Sequence, residues 1–364
     1  MKLKKVWMFV FVTMFLVAAT ACGGGSEQSE APADDAAAVQ EDAEAAGETS
    51  GGAEEPIVLK VGSTVTDDSP GGKLCIDFFK PEIEKRTEGR VVVEVYNNSI
   101  LGGDRQLYEA LQLGTLEVSL GPLSTLTNFD PKFGASDLPF LYKDKPTAYA
   151  ALDGEWGDML KADLPDVGMR IIGYCENAFR ALSNNIRPIK TLEDMKGLKM
   201  RVMESPIHIS TFKAMGANPT PIAFSELYTA LQQGTVDGQD NGVALTYTSK
   251  LYEVLKYYTV SGQCYAASAL VASEAWWQSL PEDLQKIIEE VSLEYCDLER
   301  QAMSGVEEEY LALIEESGTE IYTLPPEEKE RFREACMAVW DEFADTFGPE
   351  IMTAAKEVNE KYGN

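Results

Sequence analysis

The sequence contains one histidine, His208, among 364 residues. Catalysis by an imidazole base would have to use this side chain, yet neither a GxSxG nor an HExxH motif accompanies it. A GxxxxGK[ST] phosphate loop is absent, and so is a CxxC pair of the kind found in zinc ribbons and thioredoxin-like proteins. No nucleophile–base arrangement is recognisable. We therefore predict that the chain is not an enzyme and needs no cofactor, a secreted hydrolase being the weakest alternative.

Basic residues are also scarce. Lysine and arginine total 31 against 60 aspartates and glutamates, which gives a formal net charge of −29. Nucleic-acid binding requires a basic patch, so a nucleic acid is excluded as a partner. The length allows two lobes with an ample core.

Residues 1–22 have the features of an export signal. Lysines near the start precede the apolar run Val6–Ala21, which is too short to span a bilayer comfortably. The stretch ATAC (residues 19–22), followed by GGGS, is similar to a bacterial lipoprotein box. We predict that Cys22 carries a lipid and anchors the protein to the outer side of the cell membrane. Cleavage after Ala21, or a retained anchor helix, is the alternative.

The next segment, residues 23–56, predicts a disordered tether. It contains ten acidic residues, no lysine or arginine, and no aromatic side chain. Such a composition cannot bury enough apolar surface to fold, and its like charges keep it extended. We expect the folded body to begin near Ile57.

Five cysteines remain once Cys22 is set aside: Cys75, Cys175, Cys264, Cys296 and Cys336. An exported protein can contain disulfides. Cys175 and Cys264 each lie in a strand-like run, so a disulfide between them is one possibility. The pairing stays open, and the odd number leaves one thiol free.

Hydrophobic periodicity predicts alternating strands and helices. Residues 57–63 alternate as a strand, 70–88 follow a helical pattern, and 91–96 form a second strand. Residues 101–114 predict a glycine turn followed by a helix, and 116–121 predict a third strand. This order favours a parallel or mixed sheet covered by helices.

The second half repeats this order. LYEALQLGTLE (107–117) and LYTALQQGTVD (227–237) are identical at seven of eleven positions. Two similar units suggest two related α/β lobes, and small ligands commonly bind in the cleft between lobes. A helical pattern over 281–317 could join both lobes, either as one long helix or as two helices broken near Gly305. Residues 326–362 predict further amphipathic helix.

One strand carries an unexpected charge. In GLKMRV (197–202) apolar residues alternate with Lys199 and Arg201, although the surroundings are rich in apolar types. This strand belongs to a series of longer motifs. They are GGDRQ (102–106), DLPFLY (137–142), EDMKGLKMRV (193–202), GANPTPIAFSELYTALQQGTVDGQDN (216–241) and LYEVLKYY (251–258).

In this order the motifs resemble the solute-binding proteins of TRAP transporters, the DctP family, over essentially all of 57–364. The resemblance implies an α/β fold, a two-lobed periplasmic-binding-protein-like clamshell with strands crossing between the lobes and a long connecting helix. Lobe I would comprise 57–177, completed by about 267–306. Lobe II would comprise 178–266, completed by about 307–364.

The function implied by the resemblance is that of an extracytoplasmic receptor for a small organic acid, a mono- or dicarboxylate. The receptor would deliver the acid to the membrane subunits of an ion-gradient-driven TRAP permease and would be a monomer. Two alternatives stay open: a receptor for a sugar acid such as a uronate or aldonate, and a ligand sensor for a membrane kinase.

The resemblance also assigns site residues. Arginine offers a planar fork of donors that matches a carboxylate. The family pattern assigns this clamp to Arg201, a second arginine contact to Arg180 and an amide donor to Asn241. Phe224 would cover the ligand, whereas Thr64 and Asp104 would reach its distal part.

Two of these assignments have structural alternatives. Arg201 could pair internally with an acidic residue such as Glu204, and Phe224 could simply pack in the core. We expect no metal ligand among the site residues.

Overall fold

A computed structural model describes residues 55–363. The predicted signal, Cys22 and the tether up to residue 54 lie outside the described residues. Residues 55–363 belong to one compact unit. Among residues 55–363, no helix has the length and apolar character needed to cross a membrane.

Eleven strands are present in the described part of the chain. They are β1 Ile57–Ser63, β2 Val91–Tyr96, β3 Val118–Pro122, β4 Met169–Phe179, β5 Ala181–Asn184, β6 Lys199–Val202, β7 Asn218–Pro221, β8 Gly238–Asn241, β9 Tyr257–Val260, β10 Tyr265–Ser273 and β11 Glu320–Thr323.

Fourteen α-helices accompany these strands in the same residues. They are α1 Pro70–Leu74, α2 Lys80–Arg86, α3 Asp104–Gln112, α4 Leu123–Leu126, α5 Lys145–Leu152, α6 Glu155–Lys161, α7 Pro206–Ala214, α8 Phe224–Gln232, α9 Val243–Thr248, α10 Glu274–Ser279, α11 Glu282–Gly305, α12 Glu307–Glu316, α13 Pro326–Glu342 and α14 Ala344–Tyr362. A π-helical stretch, Cys75–Phe79, joins α1 to α2.

The strands form two sheets with matching order. The first sheet has the order β2-β1-β3-β10-β4, and the second has the order β11-β9-β5-β8-β6-β7. When the second sheet is followed from its β7 edge, the strands β7-β6-β8-β5-β9 correspond in order to β2-β1-β3-β10-β4 of the first sheet. A parallel pair, β1–β3 or β6–β8, is followed by an antiparallel neighbour, β10 or β5. Strands β3 and β10 are buried along their full length, as expected for a sheet with helices on both faces.

The internal repeat occupies equivalent places in the two sheets. Helix α3 leads through Gly114 into β3, and α8 leads through Gly234 into β8. Both glycines end their helices with a positive φ, +67° and +68°, which glycine adopts without a Cβ clash. The predicted pair of related α/β units is therefore confirmed.

Within the described residues, the chain passes directly from a strand of one sheet to a strand of the other at two points. Strand β4 of the first sheet continues past Arg180 into β5 of the second, and β9 of the second continues through residues 261–264 into β10 of the first. These passages are the crossing strands that the family resemblance implies.

The connecting helix is divided in two. A single helix over 281–317 was one prediction, but α11 ends at Gly305, and Val306 (φ −100°, ψ −5°) precedes α12. Glycine weakens the last turn of α11. The three glutamates that open α12 are favoured by the positive end of its helix dipole. Helix α11 packs on β4 of the first sheet, whereas α12 packs on α9, which follows β8 of the second.

The two C-terminal helices pack on different parts of the chain. Residues 307–364 were expected to complete lobe II, and α13 does pack on α7. Helix α14 instead packs on α5 and α6. Its apolar face joins the same buried cluster as those helices, through Phe347, Ile351 and Val358.

Candidate functional site

A cavity lies between the two sheets and is lined by residues of both. Strands β1, β3, β6 and β8 all end beside it, and residues of α1, α4 and α9, which follow β1, β3 and β8, also line it. The carboxyl ends of parallel strands are where open α/β sheets commonly hold ligands. The crossing strand β4 and helix α11 complete the wall, with Asn177 and Met303 among the lining residues.

Five of the six predicted ligand-binding residues line this one cavity. They are Thr64, Asp104, Arg201, Phe224 and Asn241. The first two come from the first sheet and its helices, and the other three from the second. Positions separated by more than a hundred residues are therefore brought together.

Arg201 is buried at the cavity wall. On β6, Met200 and Val202 pack into an apolar cluster. The Arg201 side chain is 3% exposed, and its Nε donates to the carbonyl oxygen of Ile222 at 2.7 Å. Its Nη1 is buried and has no hydrogen-bond partner within residues 55–363. The alternative partner, Glu204, lines the cavity but forms no ion pair with Arg201 in the described residues.

The guanidinium of Arg201 stays charged at neutral pH. Burial lowers its pKa to about 10, and the nearby positive charge of Arg180 acts in the same direction. A buried cation with an unpaired donor is costly unless an anion approaches it. The geometry therefore suits the binding of an anion from within the cavity.

Arg180 forms an ion pair within the protein. Its guanidinium is buried and lies against Asp240, with Nε 2.7 Å from Oδ2, and it does not line the cavity. Gln263 also donates to Asp240 Oδ2, at 3.0 Å. Burial alone would raise the pKa of Asp240, but the Arg180 charge more than offsets this and holds it below its usual value. The carboxylate that Arg180 contacts here belongs to the protein, and its contact with the ligand stays a prediction.

Thr64 and Asp104 form one hydrogen-bonded pair on the opposite wall. The Thr64 hydroxyl donates to Asp104 Oδ1 at 2.9 Å. Burial raises the pKa of Asp104 to about 6, although the bond from Thr64 opposes this shift. This carboxyl group changes charge just below neutral pH, and it offers an acceptor to a ligand hydroxyl.

Asn241 and Phe224 complete the predicted set. The Asn241 Nδ2 donates to Gln239 Oε1 at 2.6 Å, so this amide is oriented by the protein. Phe224 is half-buried, lines the cavity and also packs beside the apolar cluster around Leu227. The two alternatives for Phe224, a position over the ligand and packing in the core, therefore each match part of its surroundings.

The chain matches the family model described as bacterial extracellular solute-binding protein, family 7 (DctP), over residues 61–346. That match covers most of the chain. The protein belongs to this family. It is a TRAP solute-binding protein of the DctP type and not an enzyme.

Named relatives support the same assignment. The chain is 36% identical over 307 residues to the C4-dicarboxylate-binding periplasmic protein of Rhodobacter capsulatus, which covers 83% of this chain and 91% of the relative. It is 30% identical over 245 residues to the 2,3-diketo-L-gulonate-binding periplasmic protein of Escherichia coli. This alignment covers 67% of this chain and 75% of the relative.

Solved structures give the same fold. The sugar acid binding protein of Advenella mimigardefordensis with galactonate has a TM-score of 0.80 at 33% identity, covering 84% of this chain and 99% of that one. A TRAP periplasmic solute-binding protein of Sulfurospirillum deleyianum with succinate has a TM-score of 0.79 at 36% identity, covering 83% and 99%. The two-lobed α/β fold is thereby confirmed.

Several lining residues of this solute-binding protein were missed from the sequence. Glu176, Asn177 and Glu299 all reach the cavity. Burial raises the pKa of Glu299 to about 8, and its Oε2 accepts the backbone N–H of Glu176 at 2.9 Å. Glu299 had a detectable signal, since it lies on the buried face of α11 with Tyr295 and Met303. Nothing in the sequence marks Asn177.

The disulfide between Cys175 and Cys264, which the sequence left as one possibility, is not formed. Cys175 Sγ lies 2.9 Å from Cys296 Sγ of α11, whereas Cys264 lies beside the backbone of Asp137. All five cysteines of the described residues are buried free thiols. The strand-like sequences around Cys175 and Cys264 do not indicate that α11 covers β4, so the sequence could not identify Cys296 as the neighbour of Cys175.

Proposed function

We propose that this solute-binding protein binds one carboxylate of a small organic acid through Arg201. The observation that carries the proposal is the buried, protonated guanidinium whose Nη1 has no partner in the described residues. A carboxylate oxygen is a strong charge-assisted acceptor for such a donor. Phe224 would cover the ligand, and Asn241 would contact its carboxylate or a hydroxyl group.

The rest of the lining favours a hydroxylated monocarboxylate. Arg201 is the one basic residue among the described residues that line the cavity, and four carboxyl groups line it as well. They belong to Asp104, Glu176, Glu204 and Glu299. A second ligand carboxylate would face these groups without a cation, whereas hydroxyl groups can donate to them. We therefore propose a sugar acid as the first candidate class.

A dicarboxylate is the second candidate. The relative from Rhodobacter capsulatus is named for C4-dicarboxylates, and the structure from Sulfurospirillum deleyianum contains succinate. Both are 36% identical to this chain, slightly more than the 33% of the galactonate-bound structure. Glu299, which retains its proton at neutral pH, could donate to such a second carboxylate.

We further propose the cellular setting given by the sequence. Lipid on Cys22 would hold the protein at the outer side of the membrane, the acidic tether would give it reach, and a TRAP permease driven by an ion gradient would accept the solute from a monomer. A role in reporting the ligand to a membrane kinase is the alternative. Loss of uptake, rather than of a transcriptional response, in a deletion strain separates the two.

The direct test is a thermal-shift screen of galactonate, erythronate, succinate and matched neutral sugars. A ligand at about 100 times its dissociation constant adds about 2.7 kcal/mol to the free energy of unfolding. We expect an upward shift with acids only, and its loss in Arg201→Lys. Arg170→Lys, which alters an arginine paired with Glu274 away from the cavity, is the matched control. A shift with neutral sugars alone would contradict the proposal.

A further inference from the structure

A second buried polar cluster lies outside the solute cavity. It comprises Asp137, His208 and Cys264, each only 2% exposed, and none of the three lines the cavity. The carboxylate, imidazole and thiol atoms all lie within 4.8 Å of one another. We call these three residues the hinge cluster, because Cys264 lies in the passage from β9 to β10.

Three separate parts of the chain supply the hinge cluster. Asp137 ends the 3-10 turn Pro131–Asp137, His208 lies in the first turns of α7, and Cys264 directly precedes β10. The turn and α7 are in contact. Helix α7 follows a strand of the second sheet, whereas β10 belongs to the first. The cluster therefore connects backbone that belongs to both sheets.

The carboxylate of Asp137 lacks the partners that its burial requires. Both of its oxygens are buried without a hydrogen-bond partner in the described residues. The nearest cationic candidate, His208 Nε2, lies 3.5 Å from Oδ2. Buried carboxylates in folded proteins are nearly always paired, hydrogen-bonded or bound to a metal. An unsatisfied carboxylate at this depth thus points to a cation.

The arrangement around His208 differs from that of a catalytic relay. A nucleophile–imidazole–carboxylate relay places the hydroxyl and the carboxylate on opposite ring nitrogens. Here the Ser124 hydroxyl, 3.3 Å away, and the Asp137 carboxylate both face Nε2. One ring nitrogen that converges with two oxygen groups and a thiol is the pattern expected of a metal coordination sphere.

The chemistry of these donors selects a class of ion. Thiolate and imidazole are the ligands that zinc prefers, whereas calcium and magnesium prefer oxygen alone. Zinc bonds of about 2.0–2.3 Å place tetrahedral ligand atoms about 3.3–3.8 Å apart. The observed separations of up to 4.8 Å need a contraction of about 1 Å to reach that geometry.

We propose that the hinge cluster binds one divalent cation of the zinc class, with Asp137, His208 and Cys264 as ligands and Ser124 or water in the fourth position. Formation of the metal–sulfur bond replaces the S–H bond of Cys264, and one proton passes to solvent for each ion bound. The ion has a structural role, because the site is buried and its protein ligands come from three separate elements. It fixes α7 to the passage between the sheets.

The cluster also adjoins the buried arginine pair behind the solute cavity. The backbone N–H of Arg180 donates to the carbonyl oxygen of Cys264 at 2.8 Å, and the neighbouring Gln263 donates to Asp240. An ion at Cys264 therefore stabilises the backbone that positions Arg180 and Asp240. Metal binding itself does not depend on any solute.

The test uses the purified protein after chelation and dialysis. Titration with Co²⁺ is expected to give a thiolate-to-cobalt charge-transfer band that saturates at one ion per chain, and Zn²⁺ should displace the band and raise the melting temperature. Cys264→Ser should remove the band. Cys75→Ser, which alters another buried thiol in the apolar cluster of the first sheet, should retain it.

Two results would overturn the proposal. One is wild-type protein that binds neither ion at one per chain, with His208 and Asp137 forming a simple ion pair. The other is a charge-transfer band that survives Cys264→Ser. If Cys264→Ser does not fold, Asp137→Asn keeps the shape of the side chain and should weaken Co²⁺ binding by more than about tenfold. Unchanged Co²⁺ affinity in that variant would equally contradict the site.

Discussion

At the scale of single residues, the two buried arginines have distinct roles. Each has a buried Nη1 without a hydrogen-bond partner in the described residues, but Arg180 is neutralised by Asp240, whereas Arg201 forms no ion pair in these residues and lines the cavity. Arg201 was indicated by its strand-like sequence among apolar residues, and the family resemblance assigned a ligand contact to both arginines. Arg180 lies between β4 and β5, and the pairing of β5 with β8 brings it next to Asp240. The sequence around Arg180 does not indicate this strand pairing, so its internal partner could not be predicted.

The Arg180–Asp240 pair predicts a large stability effect. Asp240→Asn leaves the Arg180 guanidinium buried without its counter-charge. We expect the free energy of unfolding to fall by about 3–5 kcal/mol, as for other broken buried pairs. Urea denaturation measures the change. The double variant Arg180→Met/Asp240→Leu should recover part of the loss, and a double variant less stable than Asp240→Asn would contradict this account.

Glu299 predicts a pH dependence of stability. Its pKa rises from 4.5 to about 8 on burial, so between these values the folded chain retains a proton that the unfolded chain has released. The contribution is complete below the unfolded pKa and is lost as pH rises through the folded pKa. The wild-type free energy of unfolding should fall by up to about 1.4 kcal/mol per pH unit over this range, relative to Glu299→Gln.

The measurement is urea denaturation of the wild-type protein and of Glu299→Gln at intervals between pH 5 and pH 8. Gln at 299 can still accept the backbone N–H of Glu176 without titrating. Glu289→Gln, at an exposed position of the same helix, should show no such difference from wild type. A Glu299→Gln curve parallel to the wild-type curve would show that Glu299 is ionised in the folded protein.

At the scale of elements, the sequence was most informative where one segment decides the outcome. Strands β1 and β2 fall at the predicted residues, 57–63 and 91–96, because alternation and flanking turns define them. The α3–β3 and α8–β8 units followed from an internal repeat. The docking of α14 and the neighbour of Cys175 depend on surfaces supplied by distant elements, so they could not be predicted.

The break between α11 and α12 gives an element-scale prediction. A Cβ at Gly305 would meet nothing within 4 Å, so Gly305→Ala should strengthen the last turn of α11 and stabilise the protein by up to about 1 kcal/mol. Thermal unfolding measures this gain. The contrasting variant is Gly157→Ala, whose Cβ would lie 1.7 Å from the Leu152 carbonyl oxygen and should destabilise α6. A stability loss in Gly305→Ala would contradict the helix assignment.

At the scale of the whole molecule, the protein carries a net charge of −29, yet we propose that it binds an anion. Local charge decides the outcome here, because the Arg201 guanidinium is enclosed and 3% exposed. The two matched sheets place this guanidinium between them, so that residues of both can surround one ligand. The overall fold followed from the family motifs, whereas the acidic lining of the cavity required the structure.

Because the Arg201 guanidinium is enclosed, we predict that the affinity for the acid depends only weakly on salt concentration. Screening acts strongly on exposed charges and much less on buried ones. Raising NaCl from 50 to 500 mM should therefore weaken binding of the acid by less than about threefold. Isothermal titration at several salt concentrations measures this. A steep decline would indicate an anion held loosely at an exposed surface.

The most direct measurement of the central claim compares one acid with its own primary amide. Calorimetric titration of wild-type protein and of Arg201→Met is performed with the acid that gives the largest thermal shift and with the corresponding amide. We expect the wild type to bind the acid and reject the amide, and Arg201→Met to lose at least about 30-fold in affinity for the acid, equivalent to 2 kcal/mol or more. Equal affinity for acid and amide, or undiminished binding by Arg201→Met, would contradict the role of Arg201 as the carboxylate clamp.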